Sequence, residues 1–210
     1  SPIDALLIPS APARDMLHAL AVLLVSVAPA LAFLVLILAL DRREPEPAAM
    51  ILKTIGLGAA SAVPAAVVEL ALGGLPLFAL PGLAGATATA FVQVAPVEEA
   101  CKLAAVMVYA WRKPAFNEEN DGIVYAGAAA IGFAALENVL YVARYGLGTG
   151  AGRAFTAIPA HVFTAVIMGL AVGRARFAPS PVARRGLLLR GFALAWLIHG
   201  LYDALALSGS

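Results

Sequence analysis

Long apolar runs dominate this sequence, and each has the length that crosses a lipid bilayer. A membrane-spanning helix needs about 20 mostly apolar residues. Six such runs cover residues 16–40, 50–72, 83–111, 121–144, 155–176 and 186–207. In lipid, every backbone polar group must be bonded inside the protein, which favours helices for runs of this length. The sequence therefore predicts an all-α, polytopic transmembrane helical bundle of about six spans, with residues 1–210 forming one integral membrane domain.

The composition excludes most other classes of protein. Only 13% of the 210 residues are charged, against about 25% in soluble domains. The net charge of +1 and the lack of a basic stripe indicate no nucleic acid partner. We therefore expect the lipid bilayer as the surroundings and a multi-pass protein of the cell (cytoplasmic) membrane.

The basic residues of the short loops predict the orientation, because cytoplasmic loops carry an excess of Lys and Arg. If the N-terminus is outside, ten of these residues fall on the cytoplasmic side and three on the outer side. The ten are Arg42, Arg43, Lys53, Arg112, Lys113, Arg174, Arg176, Arg184, Arg185 and Arg190, and the three are Arg14, Arg144 and Arg153. Both termini are thus predicted to be extracytoplasmic, with residues 1–15 as an outer N-terminal segment. Pro96 interrupts the third run, so a re-entrant third segment with five spans is the alternative.

Eight charged or histidine residues lie deep within the apolar runs. Each costs at least about 2.5–3.5 kcal/mol to insert at the centre of a membrane helix, so such residues are usually paired or functional. They are Glu69, Glu98, Glu99, Lys102, Glu137, His161, His199 and Asp203. Glu69 is near the outer end of the second run, and we expect it to be solvated or to snorkel to the interface.

Four of these residues are predicted to lie at one depth. At about 1.5 Å per residue, Glu98 and His199 lie ~20 Å above the cytoplasmic ends of their helices, and Glu137 lies ~24 Å above. His161 lies ~9 Å below the outer end of its helix. In a hydrocarbon core ~30 Å thick, all four fall between the midplane and the outer face. This shared depth predicts a single site in the outer half of the bilayer.

The local spacing of these residues suggests individual roles. Lys102 is four residues after Glu98 and three after Glu99, so it could neutralise one carboxylate and leave the other for acid–base chemistry. Asp203 is one turn after His199, where it could orient the imidazole ring and fix its tautomer.

Asn138 follows Glu137 directly and supplies an amide beside a carboxylate. An amide N–H in that position could stabilise the oxyanion of an acyl-transfer reaction.

The residues alone leave other functions open. Buried Glu, His and Asp side chains also form the proton relays of ion-coupled membrane transporters. Carriers are often built from repeats, and we find none in this sequence. A third possibility is a non-catalytic membrane scaffold, in which the polar residues only specify helix packing.

Five short motifs follow one another between residues 41 and 203. They are the loop Asp41-Arg42-Arg43-Glu44-Pro45-Glu46-Pro47, EExxK at Glu98, Glu99 and Lys102, FxxxEN at Phe133, Glu137 and Asn138, His161 followed by Gly169, and HxxxD at His199 and Asp203. EExxK alone is a weak signal, but the ordered set is specific. In this set the chain resembles the PrsW family of intramembrane proteases, which belongs with the CAAX prenyl endopeptidase and bacteriocin-processing superfamily.

The resemblance implies an intramembrane endopeptidase. Its substrate would be a single-pass membrane protein cut near the extracytoplasmic face. In this family the substrate is typically an anti-sigma factor, cleaved at site 1 in a stress response.

Two versions of the mechanism follow, both with water as the nucleophile and Glu98 or Glu99 as the general base. In the metal version, Glu98, Glu137, His161 and His199 hold zinc or another divalent metal, which lowers the pKa of the water towards ~7. In the metal-free version, which the resemblance to CAAX endopeptidases suggests, a Glu–His pair activates the water directly. The sequence contains no HExxH motif that would decide for zinc.

Overall fold

The protein folds as a bundle of helices. A computed structural model describes residues 11–41 and 44–208, and within these ranges it contains no β-strand. The helices are α1 (Ala11–Leu40), α2 (Ala48–Leu72), α3 (Gly82–Ala88), α4 (Ala95–Val108), α5 (Asp121–Tyr145), α6 (Leu147–Phe155), α7 (Ala157–Arg176) and α8 (Pro181–Ser208). The predicted all-α bundle is confirmed. Most of the predicted outer segment, residues 1–10, lies outside the described residues, as do Arg42 and Arg43.

Five helical stretches of the described chain are long and apolar enough to cross a membrane. They are Met16–Ala39, Ala48–Leu72, Asp121–Tyr145, Leu147–Arg176 and Pro181–Ser208. Large apolar side chains project from them, as with Leu70, which is 81% exposed. The remaining predicted span is a continuous helical path over residues 82–108, which is about 40 Å long.

A π-helical turn divides this third helical path into α3 and α4. The turn covers Thr89–Val94, directly before Pro96 at the start of α4. Because Pro96 has no N–H, a carbonyl oxygen in the preceding turn loses its partner. The carbonyl of Phe91 instead accepts a hydrogen bond from Nε1 of Trp196 at 2.8 Å. Pro96 thus changes the helical register without ending the helix, and the indole of Trp196 ties the turn to α8.

Glycines allow the central helix α5 to approach its neighbours closely. A Cβ on Gly132 would lie 1.9 Å from the carbonyl oxygen of Ile55 in α2. A Cβ on Gly169 in α7 would lie 2.5 Å from the carbonyl oxygen of Gly122 in α5. Backbones in contact at small residues are typical of helix packing in membranes. They fix the position of α5 against α2 and α7.

Helix α6 was not predicted. The predicted fourth run ends at residue 144 and the fifth begins at residue 155, so no element was predicted between them. In the structure residues 147–155 form a short helix that packs on α1 and α5. It carries Arg153 towards the interior of the bundle.

Candidate active site

Four helices bring their buried polar side chains together. Helix α4 carries Glu98 and Glu99, α5 carries Glu137, α7 carries His161, and α8 carries His199. All except Glu137 are at most 4% exposed. A cavity of about 320 Å³ opens beside them, and its polar lining includes Glu98, Glu137, Arg153, His161, His199, Tyr202 and Asp203. Residues predicted to share one depth therefore line one cavity.

Several neighbouring side chains contact one carboxylate oxygen of Glu99. Its Oε1 accepts hydrogen bonds from Nζ of Lys102 at 2.5 Å and from Oγ1 of Thr164 at 3.2 Å. The same oxygen lies 2.8 Å from Nδ1 of His199. Glu99 is fully buried and joins α4 to α7 and α8. Its surroundings fix the ring of His199 and leave little room for a reacting group.

His161 is held by a second carboxylate. Its Nε2 lies 2.8 Å from Oε2 of Glu137. The same oxygen is 2.7 Å from the guanidinium of Arg153, and that guanidinium lies 3.8 Å from the centre of the Tyr141 ring. Glu137 therefore orients His161 and forms an ion pair with Arg153.

Glu98 faces the two histidines on their other side. Its Oε2 is 3.7 Å from Nε2 of His199 and 3.9 Å from Nδ1 of His161, and it accepts no hydrogen bond from a described residue. The two imidazole rings meet edge to face, with centroids 5.0 Å apart. One donor atom from each of these three residues lies within 4.8 Å of the others.

This donor set fits a divalent metal. Two nitrogens and one carboxylate oxygen are common ligands, and ligands of one tetrahedral zinc lie about 3.4 Å apart. The buried, unpartnered Oε2 of Glu98 is the kind of oxygen that a cation would satisfy. Nζ of Lys102 lies 3.1 Å from Nδ1 of His161. For His161 to bind a metal through this nitrogen, the ammonium must move away from it while keeping its contact with Glu99.

Glu137 was predicted as a metal ligand, but the structure puts it behind His161. Its Oε2 contacts Nε2 of that ring, whereas Nδ1 faces Glu98. Asp203 lies beside the imidazole of His199, as its one-turn spacing predicted. Its Oδ2 lies 3.3 Å from Nε2 of His199, on the cavity side, while Glu99 contacts Nδ1 and orients the ring.

Asn138 does not reach the cavity. Its side-chain amide donates to the carbonyl oxygens of Val25 at 3.3 Å and Gly150 at 3.4 Å. It therefore links α5 to α1 and α6, about 100° around the helix from Glu137. The predicted role in stabilising an oxyanion does not suit this position.

Asn138→Ala tests the packing role. We expect the free energy of unfolding to fall by about 1–3 kcal/mol, since two hydrogen bonds and buried contacts are lost. The turnover number of the folded enzyme should change less than about threefold, whereas loss of an oxyanion donor typically costs 10²–10³-fold. Thermal unfolding and kcat, measured on one preparation, distinguish the packing role from a role in stabilising the oxyanion. A hundredfold loss of kcat with unchanged stability would contradict the packing role.

Glu69 was expected at the solvated outer end of its helix, but its carboxyl group faces the site. It lines a cavity of about 170 Å³ together with Glu98 and Glu137, and its Oε1 is buried without a hydrogen-bond partner. It also borders a wider cavity of about 700 Å³ between α2 and α5, whose lining includes Gln93 and Tyr141. The depth of Glu69 in its helix did not indicate that it faces the site, because this depends on the direction of the side chain around α2.

Two other residues near the site were missed. Arg153 was counted only as an outer loop charge, and nothing in the sequence signals that α6 turns it inward. Thr164 could have been found, because it is three residues after His161 and so shares a helix face with it.

The fold and the site together define a class of protein. A multi-pass helical bundle that holds carboxylates and imidazoles around an internal cavity is suited to carry out polar chemistry within a membrane. Comparison with protein families makes this specific: the model of the family described as PrsW family intramembrane metalloprotease matches residues 46–210. The chain belongs to the PrsW family of intramembrane proteases, as its motifs predicted, and it is a multi-pass membrane peptidase.

Individual relatives agree with this assignment. Protease PrsW of Geobacillus kaustophilus (strain HTA426) is 34% identical over 182 residues, which cover 87% of this chain and 78% of the relative. Protease PrsW of Bacillus subtilis (strain 168) is 30% identical over 188 residues, covering 87% and 81%. Protease PrsW of Clostridioides difficile (strain 630) is 33% identical over 117 residues, covering 54% and 49%. No solved structure matches the chain.

Proposed function

We propose that this chain is a metal-dependent intramembrane endopeptidase in which Glu98, His161 and His199 hold the metal. One observation carries the proposal. Each imidazole has one nitrogen fixed by a carboxylate, Glu137 or Glu99, and the other turned towards the unpartnered Oε2 of Glu98. A carboxylate behind each ligating histidine is the usual surroundings of a metal site, because it sets the tautomer and raises the basicity of the ligand.

A bound divalent metal would supply a water of lowered pKa and polarise the scissile carbonyl. The remaining steps belong to side chains of the cavity. With Glu98 engaged as a ligand, we assign the general base to Asp203, whose Oδ2 lies on the cavity side, 3.3 Å from Nε2 of His199. As the oxygen of the attacking water bonds to the peptide carbon, Asp203 takes a proton from that water. It then passes that proton to the leaving amine nitrogen as the C–N bond breaks.

Arg153 suits the task of stabilising the oxyanion better than Asn138 does. Its Nε is buried without an acceptor, and the side chain lines the cavity. Glu137 holds the guanidinium in place at 2.7 Å. A fixed N–H donor of this kind stabilises charge that develops on the carbonyl oxygen.

The proposed substrate is a single-pass membrane protein of the anti-sigma factor type, cut at site 1 near the extracytoplasmic face of the cell membrane. The excess of Lys and Arg at the ends of the bundle away from the site supports this orientation, with both termini outside. The cavity of about 700 Å³ between α2 and α5 borders Glu69 and Tyr141. These two residues also line the cavity of about 170 Å³ beside Glu98. We assign the larger cavity as the approach of the substrate chain. We also propose that residues 1–210 act as a single protease domain.

The decisive experiment combines metal analysis with a cleavage assay. The protein is purified into nanodiscs together with a single-pass substrate, stripped with a chelator, and assayed before and after Zn²⁺ is added back. We expect about one metal per chain, at least about a 100-fold loss of cleavage on stripping, and recovery with metal. Full activity after verified stripping would contradict the metal-dependent mechanism. If the loaded wild type cleaves no membrane substrate, the protease assignment of this cavity is wrong.

A further inference from the structure

A second polar cluster lies at the opposite end of α5 from the proposed active site. Asp41 follows α1, Glu118 lies in the loop between α4 and α5, and Asp121 begins α5. Asp121 and Glu137 are sixteen residues apart on this helix, or about 24 Å. The cluster is therefore a separate feature, and the proposed hydrolysis does not use it.

Both buried aspartates of this cluster are half satisfied. Oδ1 of Asp41 accepts a hydrogen bond from the Asn120 side chain at 2.6 Å. Oδ2 of Asp121 accepts the backbone N–H groups of Asn117 at 2.7 Å and Glu118 at 2.8 Å. The other oxygen of each, Oδ2 of Asp41 and Oδ1 of Asp121, is buried and accepts no hydrogen bond from a described residue. Asp41 is 3% exposed and Asp121 is fully buried.

The three carboxylates form a close group. One carboxylate oxygen each from Asp41, Glu118 and Asp121 lies within 4.8 Å of the others. Over residues 11–41 and 44–208, neither Lys nor Arg forms an ion pair with any of the three. Buried carboxylates this close together repel one another unless a cation or a proton compensates them.

A fourth carboxyl group, that of Glu46, lies beside the cluster. It accepts a hydrogen bond from the hydroxyl of Tyr125. Burial, with a smaller contribution from the charge of Asp121, raises its pKa to about 7.

We propose that Asp41, Glu118 and Asp121 form a binding site for a hard divalent cation, Ca²⁺ or Mg²⁺. Oxygen ligands from carboxylates are what these ions prefer. The site offers no imidazole or thiolate and so differs in chemistry from the Glu98–His161–His199 set. A cation here links the end of α1 and the α4–α5 loop to the first residue of α5. It therefore stabilises the end of the bundle away from the active site.

Two neighbouring glutamates provide a matched test. Glu118 belongs to the cluster, whereas Glu119 is 57% exposed and pairs with Arg174 at 3.8 Å. The full chain in nanodiscs is freed of metal, and thermal unfolding and calorimetric titration are measured with CaCl₂, MgCl₂, or NaCl at equal ionic strength. We expect one divalent ion per chain at this site and a rise of the unfolding midpoint of at least about 3 °C at saturation. Glu118→Gln should weaken binding at least about tenfold, and Glu119→Gln should bind like the wild type.

A further control distinguishes cation binding at this cluster from cation binding at the active site. A Glu98→Gln variant should keep the full Ca²⁺ or Mg²⁺ shift, because Glu98 is remote from the cluster. The proposal is overturned if neither ion shifts the wild type, if Glu118→Gln and Glu119→Gln behave alike, or if Glu98→Gln abolishes the shift. Asp121→Asn is a further variant, and its loss of binding counts only where circular dichroism shows that it folds.

Discussion

Glu98→Gln should lower peptide-bond cleavage by at least about 1,000-fold while the protein stays folded. Oε2 of Glu98 is the oxygen turned towards both imidazoles, at 3.7 and 3.9 Å. A neutral amide of the same shape is a poor metal ligand, so the metal content should fall together with the activity. Because this carboxylate is buried without a hydrogen-bond partner, removing its charge should not destabilise the bundle and could stabilise it.

The adjacent residue provides the contrast. Glu99→Gln leaves the buried Lys102 without its carboxylate partner at 2.5 Å, and breaking a buried ion pair costs about 3–5 kcal/mol. It also replaces the charged acceptor for Nδ1 of His199 with a weaker, neutral one. Glu99→Gln should therefore fail mainly through lost stability.

Thermal unfolding, metal content and the cleavage rate, measured on both variants in one lipid environment, test this assignment. The expected pattern is a folded, metal-poor, inactive Glu98→Gln and a less stable Glu99→Gln. Substantial activity in Glu98→Gln, or the same loss of stability in both variants, would contradict the division of roles between the two glutamates.

The sequence predicted which site residues lie at one level of the bundle better than it predicted the direction of each side chain. Depth depends on helix rise alone, so counting residues brought Glu98, Glu137, His161 and His199 to one level. Direction around the axis changes by about 100° per residue, so a small change in register redirects a side chain. Asn138 was therefore predicted at the site although it points to α1 and α6, and Glu69 was set aside although it lines a cavity with Glu98.

The choice between Glu98 and Glu99 shows the same limit. The π turn at Thr89–Val94 lies directly before them, and a π turn changes the register of the helix by about one residue relative to a regular α-helix. The hydrophobic pattern of α3 therefore cannot be extended to predict the facing of α4. The π turn and the contact of this turn with Trp196 determine which of the two carboxylates faces the cavity.

The close contact between α2 and α5 should be a sensitive packing point of the bundle. A Cβ on Gly58 would lie 2.0 Å from the carbonyl oxygen of Ala129, and its nearest neighbours are all backbone atoms of that residue. Backbone in a packed helix cannot move aside as a flexible side chain can. We therefore expect Gly58→Ala to cost about 3 kcal/mol and to lower the unfolding midpoint by about 6–12 °C.

Gly56 is the matched control on the same helix. A Cβ on Gly56 meets nothing within 4 Å, and Gly→Ala in a helix is otherwise favourable by about 1 kcal/mol. Gly56→Ala should leave the midpoint unchanged or raise it. Both variants carry the same chemical change, so the difference between their midpoints measures the contact with Ala129. Equal midpoints would mean that α2 and α5 do not touch at Gly58. Because α2 carries Glu69 and α5 carries Glu137, residual Gly58→Ala protein should also cleave more slowly than Gly56→Ala.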